Sequence, residues 1–479
     1  METPSPRRWS TLQSLPAAPN TCAARREIRR AVDDAQRRVV VLDDDPTGVQ
    51  TMHDITVLTT WGVQELAAEL RRPAPLFYVL TNSRALDRDA AVALGRELAR
   101  NVRAAAEQAR VRVDVISRSD STLRGHYPWE LDPLGSLFDA GGPDGHVIVP
   151  AYPDGGRVTV DGVHYVVTGD DMLPAAETDF ARDPSFGYTQ SSLADWVEEK
   201  SAGRWKAADV LRIPLAVLRA GDVAAVTEML LDARDNRPIV SDCVGDEDLT
   251  ILIAALLRAE ARGRRYLYRT AASFVKVRAG LGDRSLLTRD DLGLAPSTPG
   301  GLVLVGSYVT RTAEQLVHLL RQPGVVAHEL VVEALLTPGA DAIVRETALW
   351  ADTALEAGHV AVVYTSRELV SRYGEHDHVH VAATISQAVS AVVAAVSRHP
   401  AWIVAKGGIT ASDVATRGLG VRRARVLGQI ARGAPVWQLG PEARFPGVPY
   451  VVFPGNVGAT DTLAEVVAHL SGRQPELTT

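Results

Sequence analysis

Three times in the C-terminal half of the chain, an apolar β-type run ends in a glycine-bearing turn and an amphipathic helix follows. The first copy is Leu302–Val305, then Gly306-Ser307-Tyr308-Val309-Thr310. The second is Trp402–Ala405, then Lys406-Gly407-Gly408-Ile409-Thr410, and the third is Tyr450–Phe453, then Pro454-Gly455-Asn456-Val457-Gly458. Strands that alternate with helices predict a largely parallel sheet covered on both faces. Glycine lets backbone approach a ligand closely, and a helix start offers free N–H groups and positive dipole. Three such turns at the carboxyl ends of parallel strands describe a cradle for a polyphosphate, although a single Gly-Gly fits a purely structural turn equally well.

A chain of 479 residues exceeds what one core usually supports, so two domains are expected. A net charge of −7 argues against a nucleic-acid surface. No apolar run reaches membrane-spanning length. Cys22 and Cys243 suggest neither a disulfide framework nor a zinc site. These features point to a cytoplasmic enzyme or binding protein. The chain has only four lysines, Lys200, Lys206, Lys276 and Lys406, among many arginines. Lys406 directly precedes the Gly-Gly turn, where a compact ammonium suits a phosphate loop.

Residues 1–35 read as a partly disordered leader. A first α/β domain spans 36–277, a linker 278–300, a second α/β domain 301–472, and a tail 473–479. In the first domain, Arg38–Leu42, Ile55–Thr59, Phe77–Leu80, Val111–Ile116 and His146–Val149 read as strands. Residues 155–205 read as a hairpin with long loops. The tract Glu375-His376-Asp377-His378-Val379-His380 has no partner to complete a metal site and reads as a solvated loop before a helix that begins near Thr384.

Four strand ends in the first domain carry chemistry. Asp43-Asp44-Asp45-Pro46-Thr47-Gly48 follows the first strand, and three successive carboxylates there repel unless something cationic offsets them. Thr81-Asn82-Ser83-Arg84 ends another strand, Ser117-Arg118-Ser119-Asp120-Ser121-Thr122-Leu123-Arg124-Gly125-His126 a third, and Pro150 to Arg157 a fourth. Arginine forks match carboxylates and hydroxyls match polyols, so these ends describe a site for a small, anionic, polyhydroxylated molecule.

In this order the clusters resemble the four-carbon acid sugar kinase family. Asp44, Asp45, Thr47 and Gly48 match its Asp-Asp-x-Thr-Gly motif, and Asp120 to Gly125 match Asp-Ser-Thr-Leu-Arg-Gly. Pro150 to Arg157 match Pro-Ala-x-Pro-x-x-Gly-Arg, followed by Thr159, Gly162 and His164. In the second half, Gly306-Ser307 with Thr310 and Gln315, Gly407-Gly408-x-Thr410 and Gly455-Asn456-x-Gly458 match its three glycine loops. Arg118 replaces the usual lysine, Ile409 replaces a common glutamate, and Phe453-Pro454 stand where a lysine often precedes the Gly-Asn loop.

The resemblance implies two α/β domains, each a mostly parallel sheet flanked by helices, with the active site at their interface. It implies ATP-dependent phosphorylation of a sugar-acid hydroxyl, with Mg²⁺ and a small-molecule sugar acid, and a homodimer as a family-level expectation. The acceptor is a four-carbon acid, its 3-oxo form, or a branched oxo-acid such as 3-oxo-isoapionate. ATP phosphates would meet Ser307, Lys406, Gly407, Gly408, Thr410, Gly455, Asn456 and Gly458. The acceptor would meet Asp44, Thr47, Gly48, Arg84, Arg118, Ser121, Arg124, Gly125 and Arg157, with Arg124 and Arg157 on its carboxylate. Asp45 or Asp120 would take the hydroxyl proton. The rival readings are a non-catalytic sensor of the same two ligands and an NAD-dependent hydroxy-acid dehydrogenase. The second lacks a Gly-x-Gly-x-x-Gly after a first strand.

Overall fold

The computed structural model describes residues 5–34, 36–138, 141–295, 300–306, 309–366 and 375–473. It divides into two compact units, Met1–Gly48 with Thr60–Asp283, and Val49–Thr59 with Arg284–Thr479.

The main sheet of the first unit is built from β1 (Arg37–Asp43), β2 (Leu76–Leu80), β3 (Arg112–Arg118), β4 (Gly145–Val149), β5 (Leu211–Ile213), β6 (Arg237–Ser241) and β7 (Tyr266–Thr270). They lie in the order β5-β6-β4-β7-β3-β1-β2, and each neighbouring pair is parallel. Val39, Val40 and Val41 are buried, as a strand covered on both faces requires. The helix Arg88–Ala109 is capped by Asp87, whose side chain accepts from Ala90 N at 2.8 Å. It buries Ala91, Gly95, Leu98, Ala99, Val102 and Ala105 at helical spacing. From β1 the chain steps to β2 on one side and returns to β3 on the other. Ligands in open parallel sheets bind where the order reverses in this way, at the carboxyl ends of the strands.

Strand β7 lies between β3 and β4 but was missed in the sequence. Its run carries Arg269 and follows Arg262-Gly-Arg-Arg265, so it shows no continuous apolar signal. Arg269 is buried because its guanidinium pairs with Glu130 at 2.6 Å. The 155–205 region holds an antiparallel meander, Arg157–Val160, Val163–Thr168 and Asp171–Pro174, rather than one hairpin. It also holds a helix, Leu193–Lys200, that the loop reading did not anticipate. Much of the supposedly disordered leader is structured. Arg7–Arg8 pairs with Asp171–Met172, and the helix Cys22–Val32 buries Ala24 and Ile28, with Arg258 on Glu27 at 2.9 Å.

The second unit contains β8 (Leu302–Val305), β9 (Val325–Leu330), β10 (Val360–Thr365), β11 (Ile403–Lys406), β12 (Arg423–Ala431), β13 (Ala434–Leu439) and β14 (Pro449–Phe453). Strands β14-β11-β8-β10-β9 are parallel. Strands β13 and β12 extend the sheet antiparallel from β14. The strand Ile55–Leu58, read in the sequence as part of the first domain, belongs here. It pairs antiparallel with Arg423–Val426, and Asp54 beside it binds Arg425 at 2.6 Å and Arg284 at 2.9 Å. The helix expected from Thr384 already begins at Glu375, so the histidine tract is helical rather than a loop.

Candidate functional site

In the first unit the strand ends converge on an alternating set of acids and arginines. Register sets Asp43, the last residue of β1, beside Arg118, the last of β3. Their side chains pair at 3.2 Å, and both are buried. The sequence marks Asp43 as one of three successive carboxylates that need a cationic offset but gives it no site role of its own; Arg118 is that offset. Gly48 folds back over it. A Cβ at Gly48 would lie 2.0 Å from Asp43 Oδ1, so only glycine lets the turn close on that carboxylate.

Arg84 organises the rest. Asn82, at φ +50°, turns the chain after β2 and presents it. His126 Nε2 lies 3.1 Å from both the Ser83 and Leu86 carbonyls and fixes that turn. Arg84 Nη2 pairs with Asp45, and Nη1 pairs with Asp120 Oδ1 at 3.0 Å. Asp120 Oδ2 accepts from Arg124 Nε at 2.9 Å and from Thr122 Oγ1. Asp45 Oδ1 accepts from Thr47 N at 2.8 Å and from its hydroxyl. Burial alone would raise Asp120, but Arg84 and Arg124 outweigh it and hold the carboxyl far below its ordinary range. Asp45 is also lowered: burial opposes, and Arg84 and the Thr47 bonds prevail.

Asp44 differs from both. It is buried, its Oδ1 lies 3.5 Å from Arg118 and 3.7 Å from Arg84, and neither oxygen accepts a hydrogen bond. Burial pushes it up to about 6, against the pull of Arg84 and Arg118. Burial pushes Asp43 up to about 8, with Arg118 opposing and Asp44 and Asp45 adding to the rise.

The 120–125 loop is held from below. The Ser121 carbonyl lies 2.8 Å from His164 Nε2, and Thr159 Oγ1 lies 3.0 Å from His164 Nδ1. Tyr188 donates to the Thr122 carbonyl at 2.7 Å. Gly125 packs close to Arg269 and Asp44. Asp183, which sequence reasoning missed, lies 3.6 Å from Arg124 in the region read as loops. Arg124 and Arg157 share the Phe180 ring, at 5.1 and 5.7 Å from its centroid. Arg124 is thus already paired with carboxylates. Arg157 makes no ion pair among the described residues, its Nε has no partner, and its Nη1 donates only to the Gly155 carbonyl. Burial lowers its pKa.

In the second unit the three glycine turns lie on adjacent parallel strands, β8, β11 and β14. A Cβ at Gly306 would lie 2.6 Å from Thr410 Oγ1, so this glycine lets the first turn meet the second. Gly407 N donates to the Phe453 carbonyl at 2.8 Å, which joins the second to the third. Lys406 does not face outward as a phosphate ligand. It is fully buried, and its Nζ donates to the Pro454 carbonyl at 2.6 Å and the Gly455 carbonyl at 3.2 Å. Thr312 Oγ1 also donates to Gly455 O, and Gln315 Nε2 donates to the carbonyls of Val457 and Ala459. Thr312 was missed in the sequence, where only its helical spacing from Gln315 marked it. Gly408 opens the short helix Gly408–Asp413, and Asn456 and Gly458 are exposed. Ser307 lies outside the described residues.

Residues 39–278 match the model of a sugar-binding N-terminal domain, and residues 302–463 match that of a nucleotide-binding C-terminal domain. The chain belongs to the four-carbon acid sugar kinase family. Solved structures agree in fold. A protein of Salmonella typhimurium LT2 superposes with a TM-score of 0.65 at 17% identity, over 89% of this chain and 98% of its own. Haemophilus influenzae protein HI1011, a DUF1537 protein, gives 0.62 at 17%, over 90% and 100%. No curated protein matches the chain in sequence. Family membership makes the acid–arginine cluster part of a sugar-binding domain and the glycine turns part of a nucleotide-binding one. Among the described residues no helix is long and apolar enough to cross a membrane.

Proposed function

We propose that the protein is an ATP-dependent kinase that phosphorylates a hydroxyl of a small sugar acid. The observation that carries this reading is Asp44, a buried carboxylate without a hydrogen bond, set among arginines in a chain whose other unit is nucleotide-binding. Asp45 and Asp120 are the weaker proton acceptors, because their oxygens are already bound by Arg84, Arg124 and two threonines. They position Arg84, and Asp44 takes the proton of the acceptor hydroxyl. That oxygen bonds to the γ-phosphorus as the bond from phosphorus to the ADP oxygen breaks. Phosphoryl transfer needs orientation and charge neutralisation more than a strong base, so a carboxylate with a value near 6 suffices.

Arg157 holds the acceptor's carboxylate, since it is the cluster's guanidinium without an acidic partner among the described residues. The hydroxyls of Thr47 and Ser121 border the same loops and suit a polyol. The nucleotide phosphates bind the exposed backbone of the Gly455–Gly458 turn, beside the Gly407-Gly408 turn. Magnesium comes with the phosphates. Among the described residues no group of three His, Cys, Asp or Glu side chains is arranged to hold a metal, and no protein ligand is assigned. The acceptor is a four-carbon acid, its 3-oxo form, or a branched oxo-acid such as 3-oxo-isoapionate.

A coupled ADP-release assay with Mg·ATP against a panel of these acids tests the proposal. ADP release that depends on one acid supports it and names the substrate. Tight binding of both ligands with no turnover on any acid would instead leave a sensor.

A further inference from the structure

Lys406 is an unusual group for the place it occupies. It is fully buried at the end of β11, with its ammonium 4.2 Å from the centroid of Phe453. Among the described residues its ammonium donates to two backbone carbonyls and makes no salt bridge with a carboxylate. A buried ammonium without a counter-charge is costly. The side chains around it do not relieve that cost. Phe453 of β14 is apolar, and Thr312 and Gln315 of the helix Thr310–Leu320 are neutral. The charged group that bears on it is another cation, Arg311, itself 3.2 Å from Glu314.

The carbonyls show what the charge is for. In a trans peptide the C=O of one residue and the N–H of the next point in opposite directions. The carbonyls of Pro454, Gly455 and Val457 are turned inward, to Lys406, Thr312 and Gln315. The N–H groups of Gly455, Asn456 and Gly458 are therefore turned the other way. Among the described residues these three, and that of Val457, make no hydrogen bond. Successive N–H groups that face one way form an anion-binding concavity. A buried cation without a counter-ion lies on its inner side.

We propose that Lys406 is the positioning residue of an anion-binding loop over Gly455–Gly458, and that it takes up a proton when a nucleotide polyphosphate binds there. The inference rests on the nucleotide reading given above. Burial, with Arg311 adding to it, pushes the free ammonium down to about 7. A polyphosphate across the loop favours the charged form and raises that value. Binding slightly above neutral pH therefore draws a proton from solvent, and affinity falls as pH rises through about 7.

The test is calorimetric titration of a non-hydrolysable Mg·ATP analogue at pH 8 in buffers of different ionisation enthalpy. Wild type should take up a substantial fraction of a proton. Lys406→Arg, charged at every accessible pH, should bind with markedly less uptake. Lys406→Met should bind about 10-fold or more weakly, as loss of a charged donor implies. Because the chain has only four lysines, ¹³C-lysine NMR gives a second readout that does not depend on the folding of either variant. One Cε resonance should titrate near neutrality without nucleotide and move to higher pH with it. Nucleotide binding with no proton uptake, or equal uptake in Lys406→Arg, overturns the inference and leaves the nucleotide reading standing. No binding to wild type overturns both.

Discussion

The sugar-binding and nucleotide-binding units build the carboxyl ends of their parallel strands by opposite means. In the first, side chains do the work: Asp43, Asp44, Asp45 and Asp120 alternate with Arg84, Arg118 and Arg124, most of them buried. In the second, backbone carbonyls of the Pro454–Ala459 turn are held by Lys406, Thr312 and Gln315, and the proposed contact to the nucleotide is made by the N–H groups on the other side. The contrast suits the chemistry of the two proposed ligands. A sugar acid has one carboxylate and several hydroxyls, which demand distinct partners at fixed points. A polyphosphate is a chain of equivalent acceptors, which repeated N–H groups satisfy. A side-chain site should fail sharply when one group is lost, and a backbone site should fail by degrees.

The largest effect should come from Asp44→Asn. Turnover should fall about 10²–10⁴-fold, the usual contribution of a positioned proton acceptor, while calorimetry finds nucleotide binding unchanged. Comparable loss in Asp45→Asn with little loss in Asp44→Asn would return the role to Asp45. Next is Arg157→Met, which should raise KM for the acid about 10–100-fold with a smaller change in kcat, as loss of one charged contact to a carboxylate predicts. An effect confined to kcat would move Arg157 away from the ground-state carboxylate.

Thr312→Val probes the other side of the comparison. It removes one hydrogen bond behind the Gly455 loop and should weaken nucleotide binding only about 3–10-fold. A loss as severe as that of Asp44→Asn would break the contrast between the two sites. The pH profile sharpens it further. Turnover should fall as pH drops through about 6, because Asp44 must be ionised to accept a proton. It should also fall above about 8, where Asp43 ionises and adds negative charge beside an anionic acceptor.

The smallest effect concerns stability. Native Asp43 keeps its proton up to about 8, whereas an unfolded carboxyl keeps it only to about 4. Stability from this group is therefore full at low pH and is lost as pH rises through about 8. Asp43→Asn should flatten that part of the thermal midpoint against pH. Gly48→Ala, which pushes a Cβ into the same carboxylate, should destabilise the first unit by about 1–3 kcal/mol at any pH.

The sequence by itself determined the elements and the ends that matter. Apolar runs with regular spacing marked β1 to β4, β8, β11 and β14, because buried strands and half-buried helices leave periodic signals. The polar turns after them marked nearly every charged member of both sites. Only the tertiary structure decided the rest. Strand β7 was hidden because Arg269 is buried through a partner, Glu130, far away in sequence. Ile55–Leu58 joined the second unit because strand pairing with Arg423–Val426 is set by long-range register, which local pattern does not encode. The roles of the carboxylates likewise depended on contacts. Asp44 and Asp45 are neighbours of one type, yet Arg84 and Thr47 occupy the oxygens of one while those of the other accept no hydrogen bond. Lys406 was visible as a cation beside a glycine turn. That it lies beneath the turn rather than over it follows from the inward carbonyls of Pro454 and Gly455, which folding alone brings to it.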